Sequence, residues 1–165
     1  KPPKTDIMPC KRGRIMRIVL QRVSHASVTI EGQVHGQINQ GYMILVGFKG
    51  EDDEAIIDRM VDKVIHLRVF EDDQGKMNLS LLDVKGAILS ISQFTLYANS
   101  RKGRRPSFVE AAKLEISSPL YDLFNSRLEE AGIHVEKGIF GADMKCELLN
   151  DGPVTILLDS DELFH

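Results

Sequence analysis

The apolar positions of this chain follow two periods, and the shorter one dominates. Ile18 and Leu20 alternate with Arg17, Val19 and Gln21, and Val28 and Ile30 flank Thr29, as expected of strands with one face on a core. Glu31-Gly32-Gln33 is a turn signal, so Val34 to Ile38 is expected to fold back as a hairpin partner. Tyr42 to Phe48 is a continuous apolar run, consistent with a buried central strand. Ala87 to Ser92, Ile133 to Lys137, Met144 to Leu149 and Val154 to Leu158 read as further strands, and Asp72-Asp73-Gln74-Gly75 as a turn. The longer period appears twice. From Asp52 to about Leu67, Ile56, Met60 and Val64 form one row and Ile57, Val61 and Ile65 the next, a stripe wide enough to cover a sheet. Glu51 to Glu54 load its first turn with negative charge, which suits the helix dipole. A second helix is expected over Pro119 to Ala131, capped by Ser118 and stopped by Gly132, with Leu120, Phe124 and Leu128 as its apolar row. Strands outnumber helices and do not alternate strictly with them. The expected fold class is α+β: a largely antiparallel, barrel-like sheet with two main helices packed on it.

Composition narrows the picture without redirecting it. The 165 residues, 42% hydrophobic and 27% charged, suit one ordinary globular domain. The first fifteen differ: Lys1, Lys4, Lys11, Arg12 and Arg14 face only Asp6, and Pro2, Pro3 and Pro9 break any regular element. Residues 1–15 read as an extension, a tag or alternative start, and 16–165 as the domain. No apolar run nears the ~20 residues of a membrane span. Cys10 and Cys146 form neither a metal spacing nor a disulfide framework, so a reducing, cytoplasmic setting is the simplest reading.

The usual catalytic kits are missing. The chain has no Gly-x-Ser-x-Gly elbow, no His-Glu-x-x-His and no Cys-x-x-Cys, and Gly75-Lys76 lacks the rest of a phosphate loop. His25, His35, His66, His134 and His165 sit in no motif, and the acidic groups at 72–73 and 159–162 suit solvent better than calcium. No metal and no cofactor is expected. A net charge of −3 gives no global cationic field, so any nucleic-acid binding must come from a local patch. One exists: Arg101, Lys102, Arg104 and Arg105 crowd a single loop just before Phe108. A solvated loop explains it equally well by composition alone. Its closeness to Ser92-Gln93-Phe94-Thr95-Leu96-Tyr97, hydroxyls and an amide at a strand end, favours phosphates beside a reaction centre. Asn150-Asp151-Gly152-Pro153-Val154-Thr155 is the other unusual segment, and alone it is only a turn.

Taken in order, five segments resemble the D-aminoacyl-tRNA deacylase family: the opening Met16 to Val23, Ser92 to Leu96, Arg105 to Phe108, Phe140 to Met144, and Asn150 to Thr155. The resemblance covers the chain from Met16 and does not extend to the leader. It implies a cytoplasmic homodimer that hydrolyses the ester joining a D-amino acid to the terminal adenosine of tRNA. It also implies action on glycine mischarged on tRNA-Ala. In the family the Gly-Pro bond, here Gly152–Pro153, is cis and reaches into the partner subunit's site.

What the resemblance implies for residue roles is physically simple. Backbone carbonyls around Gly152 and Pro153 accept the substrate ammonium, and a rigid wall rejects L side chains by collision. Arg22 braces that loop, and Phe140 and Met144 bind at the adenosine. Ser92 and Gln93 fix the ribose and the motif, with backbone N–H groups near Gln93 and Phe94 as an oxyanion hole. Lys102, Arg104 and Arg105 contact tRNA phosphates. Thr95 either attacks or orients water with help from the ribose 2′-hydroxyl. The second is preferred, because no His or carboxylate stands beside Thr95 in sequence. An alternative is a catalytically inactive tRNA-binding module of the same fold.

Overall fold

The computed structural model describes residues 15–50 and 54–164. Residues 1–14 of the expected extension and the acidic residues 51–53 ahead of the first helix lie outside the described residues.

Strand β1 (Ile15–Ile30) is the spine of the sheet. It pairs antiparallel with β2 (Gln33–Ile38) through the expected hairpin, with β3 (Gly41–Lys49), and along its other edge with β8 (Lys145–Asp159). Beyond β3 the sheet turns parallel, through β6 (Ala87–Ser92) to β7 (Val135–Lys137). Among the described residues the order is β2-β1-β3-β6-β7, with β8 on β1, while β4 (Phe70–Glu71) and β5 (Met77–Leu79) pair apart as a two-stranded ribbon. Gly36 on β2 brings the sheet nearly to closure: a side chain there would meet Glu136 Cβ on β7 at 3.3 Å. The fold is therefore α+β and barrel-like, antiparallel around β1 and parallel toward β7.

The strands divide their side chains between two cores. Met16, Ile18, Leu20, Tyr42, Ile44, Val46 and Ile88 face the larger one, under α1 (Glu54–His66) and α2 (Leu114–Glu130). Ile57, Met60, Val61, Val64, Leu120, Phe124 and Leu128 fill it from the helices, matching the rows read from the sequence. Each such fully buried aliphatic side chain contributes about 1.5–3 kcal/mol. Val23, Ala26, Val28, Ile38, Met43, Leu89 and Ile91 make the smaller core on the other face. β1 serves both because its pairing with β8 shifts register between Gln21 and His25, bending the strand.

Four expectations need correction. α2 begins at Leu114, not Pro119, and Lys113 rather than Ser118 is its N-cap. Packing of Ile116 on the core and the Ser117 hydroxyl donating to Lys113 O (3.0 Å) hold the earlier turn, so Pro119 lies inside the helix. The two C-terminal strands are one, β8, with the Gly-Pro segment as a bulge within it. Ser160–Phe164, read as an acidic terminus, is a short helix α3 whose Phe164 ring carries Arg59 at 4.0 Å. The Ser92–Tyr97 strand end is also different: β6 stops at Ser92, and Phe94–Tyr97 is a 3-10 turn.

Candidate active site

The end of β6 is where the chain changes from packing to chemistry. Leu89 and Ile91 face the small core and Ile88 the large one, and half-buried Ser92 is the last residue of the strand. Gly47 on β3 makes room for the chain beyond it. A Cβ there would lie 2.8 Å from Gln93 O and 3.1 Å from Leu96 Cβ, so only glycine lets the chain fold down over β3. Gln93 N–H donates to Val46 O (2.8 Å), and the chain then winds into the 3-10 turn.

That bond corrects one sequence expectation. The Gln93 N–H belongs to the sheet and is not free for an oxyanion. Phe94 and Thr95 N–H, first in the turn, find no partner among the described residues, as expected of helix N-termini. Thr95 is exposed, and its Oγ1 accepts a hydrogen bond from Gln93 Nε2. It has no hydrogen-bonded His or carboxylate among the described residues, which leaves its hydroxyl without an activating base.

Beside this turn lies a cavity of about 530 Å³. Its lining includes Ser92, Gln93 and Phe94, Phe140 and Met144, and Gly47 and Phe48. Phe140 leans on Tyr121 of α2 (ring centroids 5.8 Å), and Phe94 meets Phe108 edge-on at 5.1 Å. The volume and mixed lining suit a nucleoside-sized ligand. Sequence reading missed Ser117 and Cys146 in this lining. Cys146 is exposed as a residue, and partial burial of its thiol pushes its pKa up. Among the described residues, no group of three or more His, Cys, Asp or Glu side chains is placed to hold a metal ion.

The second segment is built differently. Between the pairs Gln21–Thr155 and Val23–Asn150, the single residue Arg22 faces Asp151, Gly152, Pro153 and Val154. The side chain of Asn150 closes this bulge, accepting from Val154 N–H (2.7 Å) and donating to Val154 O (3.2 Å). The Gly152–Pro153 peptide is cis, and Gly152 has φ +141°. A Cβ at 152 would meet Val154 Cγ2 at 2.8 Å and Arg22 Nη2 at 3.1 Å. Arg22 is 4% exposed; it donates through Nε to Asp151 O (2.8 Å) and through Nη1 to Val69 O (2.6 Å). Gly152 and Pro153 themselves are exposed.

The predicted site residues thus fall into three places. Ser92, Gln93, Phe94, Phe140 and Met144 come together at the cavity, with Thr95 next to it on the turn. Arg22, Gly152 and Pro153 form a separate unit outside the lining of that cavity. Lys102, Arg104 and Arg105 stand exposed on a loop closed by the Asn99–Ser107 bridge, also outside the lining.

The comparisons with known proteins agree with this fold. The chain superposes on a solved structure described as c-Myc DNA Unwinding Element Binding Protein with TM-score 0.81 and 39% identity, over 86% of this chain and 97% of that one. A probable eukaryotic D-amino acid tRNA deacylase shares the fold at TM-score 0.78 and 18% identity, over 88% and 99%. The D-aminoacyl-tRNA deacylase of Bacillus pumilus (strain SAFR-032) is 58% identical over 147 residues, 89% of this chain and 100% of that one. That of Thermus aquaticus is 55% identical over 147 residues, 89% and 97%. Residues 19–159 match the family model for D-Tyr-tRNA(Tyr) deacylase, and the chain belongs to that family.

Proposed function

We propose that the protein hydrolyses the ester bond of D-aminoacyl-tRNA in the cytoplasm, releasing free amino acid and tRNA, and acts likewise on glycyl-tRNA mischarged on tRNA-Ala. The observation that carries this reading is the cavity lined by Ser92, Gln93, Phe94, Phe140 and Met144, beside two N–H groups without a partner among the described residues. The terminal adenosine lies in it, its base against Phe140 and Met144 and its ribose at Ser92. The ester carbonyl points at Phe94 and Thr95 N–H, which stabilise the developing oxyanion; one such donor is worth about 3 kcal/mol in the transition state. Thr95 and the ribose 2′-hydroxyl orient the attacking water. An aminoacyl ester is already activated, so no strong base is required. Lys102, Arg104 and Arg105 meet phosphates of the acceptor stem.

Chirality is judged by the Gly152–Pro153 bulge of a second copy. Support comes from the exposure of the bulge, its exclusion from its own chain's cavity, and the exposed Leu149 and Leu157 on the same edge strand, which suit a homodimer contact. Main-chain carbonyls hold the ammonium, and a D side chain points away from the wall an L side chain strikes. The Asn150 and Arg22 hydrogen bonds keep that wall stiff. Incubation with D-Tyr-tRNA and L-Tyr-tRNA tests the proposal: release from the D form alone is expected. Equal release from both, or tRNA binding with release from neither, overturns it.

A further inference from the structure

Arg17 occupies a place that the proposed chemistry leaves unused. On β1 it stands opposite Gly47 of β3 on one side and Asp159 of β8 on the other, so all three project from one face. Gly47 leaves that face open, and the Phe94–Tyr97 turn settles over it. The Arg17 guanidinium reaches across the gap and touches three groups. Nε and Nη2 hold Asp159 Oδ2 at 2.9 and 2.8 Å, and Nη1 donates to Leu96 O at 2.7 Å. The guanidinium also lies 4.7 Å from the centroid of the Tyr97 ring, which is 3% exposed.

Leu96 O belongs to the last residues of a 3-10 turn, where carbonyls lack partners within the helix and attract cations. The turn is therefore pinned at both ends: Gln93 N–H to Val46 O before it, and Leu96 O to Arg17 after it. Phe94 and Thr95 N–H lie between the pins. We propose that Arg17, held by Asp159, is a positioning residue that fixes the aim of those two N–H groups. The assignment rests on the reading of this turn as the oxyanion site. A planar guanidinium is required, since a lysine ammonium cannot meet a carboxylate, a carbonyl and a ring together in this geometry. The Arg17 side chain is about one-third exposed, so its ion pair adds little to global stability.

The test compares Arg17→Met, Arg17→Lys and Asp159→Asn with the wild-type protein, measuring steady-state hydrolysis of D-Tyr-tRNA, thermal unfolding and amide hydrogen exchange. Misaimed donors are expected to lower kcat of Arg17→Met by about 10–100-fold with KM within about twofold. Arg17→Lys is expected to restore only a minor part of the rate. Adding Asp159→Asn to Arg17→Met should cost nothing more, because both act through one contact. Exchange of the Leu96 and Ala98 amides should quicken while the β1–β3 ladder keeps its protection. Wild-type kcat in Arg17→Met, a rise in KM alone, or uniform loss of protection across β1 and β3 overturns the assignment. A wild-type protein that hydrolyses nothing sinks the deacylase reading instead, and the exchange pattern then decides the positioning claim.

Discussion

The Ser92–Tyr97 and Asn150–Thr155 segments invite comparison because one ends a strand, the other interrupts one, and each is held by an arginine of β1. Arg17 binds Leu96 O and Arg22 binds Asp151 O. Arg17 is partly exposed, works at a sheet end, and supports a turn that offers N–H groups to a cavity. Arg22 is buried and supports an exposed bulge outside the lining of that cavity. In the proposed mechanism one segment presents donors and the other acceptors. The difference teaches that a site of backbone groups is still built by side chains, one step removed: glycines 47 and 152 open the space, and two arginines hold what enters it.

The sharpest way to break the comparison is to delete a donor without moving the turn. Gln93 is extended (φ −150°, ψ 93°), which suits a following proline, and Phe94 is the first turn residue, where proline is favoured. Phe94→Pro should cut kcat about 10²–10³-fold relative to Phe94→Ala, which keeps the N–H, in single-turnover deacylation assays. Equal rates for the two would remove Phe94 N–H from the mechanism. Next in size, Gly152→Ala strains φ +141° and crowds Val154 and Arg22. D-Tyr-tRNA hydrolysis should fall about a hundredfold, and the ratio of D to L rates should narrow. A slower enzyme with an unchanged D/L ratio would separate the bulge from chirality.

A smaller effect is expected from the basic loop. Arg104→Ala with Arg105→Ala should weaken tRNA binding several-fold and flatten its salt dependence by about one phosphate contact per residue, with kcat on bound substrate preserved. The smallest concerns acid stability, at two carboxyls that belong to neither segment. Backbone N–H groups of Gln74 and Lys76 bond Asp72, and that of Ser80 bonds Asp83, and these bonds hold both carboxyls below their ordinary pKa. Folded values below unfolded ones give stabilisation that is present above about pH 4 and lost as pH falls through the folded values. Asp83→Asn should therefore flatten the acid limb of the Tm–pH curve and leave both motifs' activities intact at neutral pH.

Much of this was legible in the residues. The Ile56/Met60/Val64 and Leu120/Phe124/Leu128 rows appear where the spacing puts them, because a wide apolar stripe has only one way to meet a sheet. The start of α2 was not legible: Pro119 and Ser118 look like a helix beginning, and only packing of Ile116 against the core extends it. Nor was the turn at Phe94, since Phe94 and Leu96 alternate with Thr95 and Tyr97 as a strand would. The signal was Gly47, a glycine in the middle of an apolar run, which marks close backbone approach. Arg17 lies in the Met16–Val23 segment, but nothing there shows its role, which depends on register across three strands. Ser92, Phe140 and Met144 could be grouped from resemblance, but their meeting around one cavity is a product of the fold.

The central claim is that the two segments, apart within one chain, form one site across two chains. Mixing Phe94→Pro with Gly152→Ala after subunit exchange tests it most directly. In an isologous dimer, half of the randomly formed pairs are mixed and each holds one intact composite site. About one quarter of wild-type D-Tyr-tRNA deacylation should therefore return from two impaired proteins. No recovery above the sum of the separate variants, with mixed dimers demonstrated by native mass spectrometry, would contradict it.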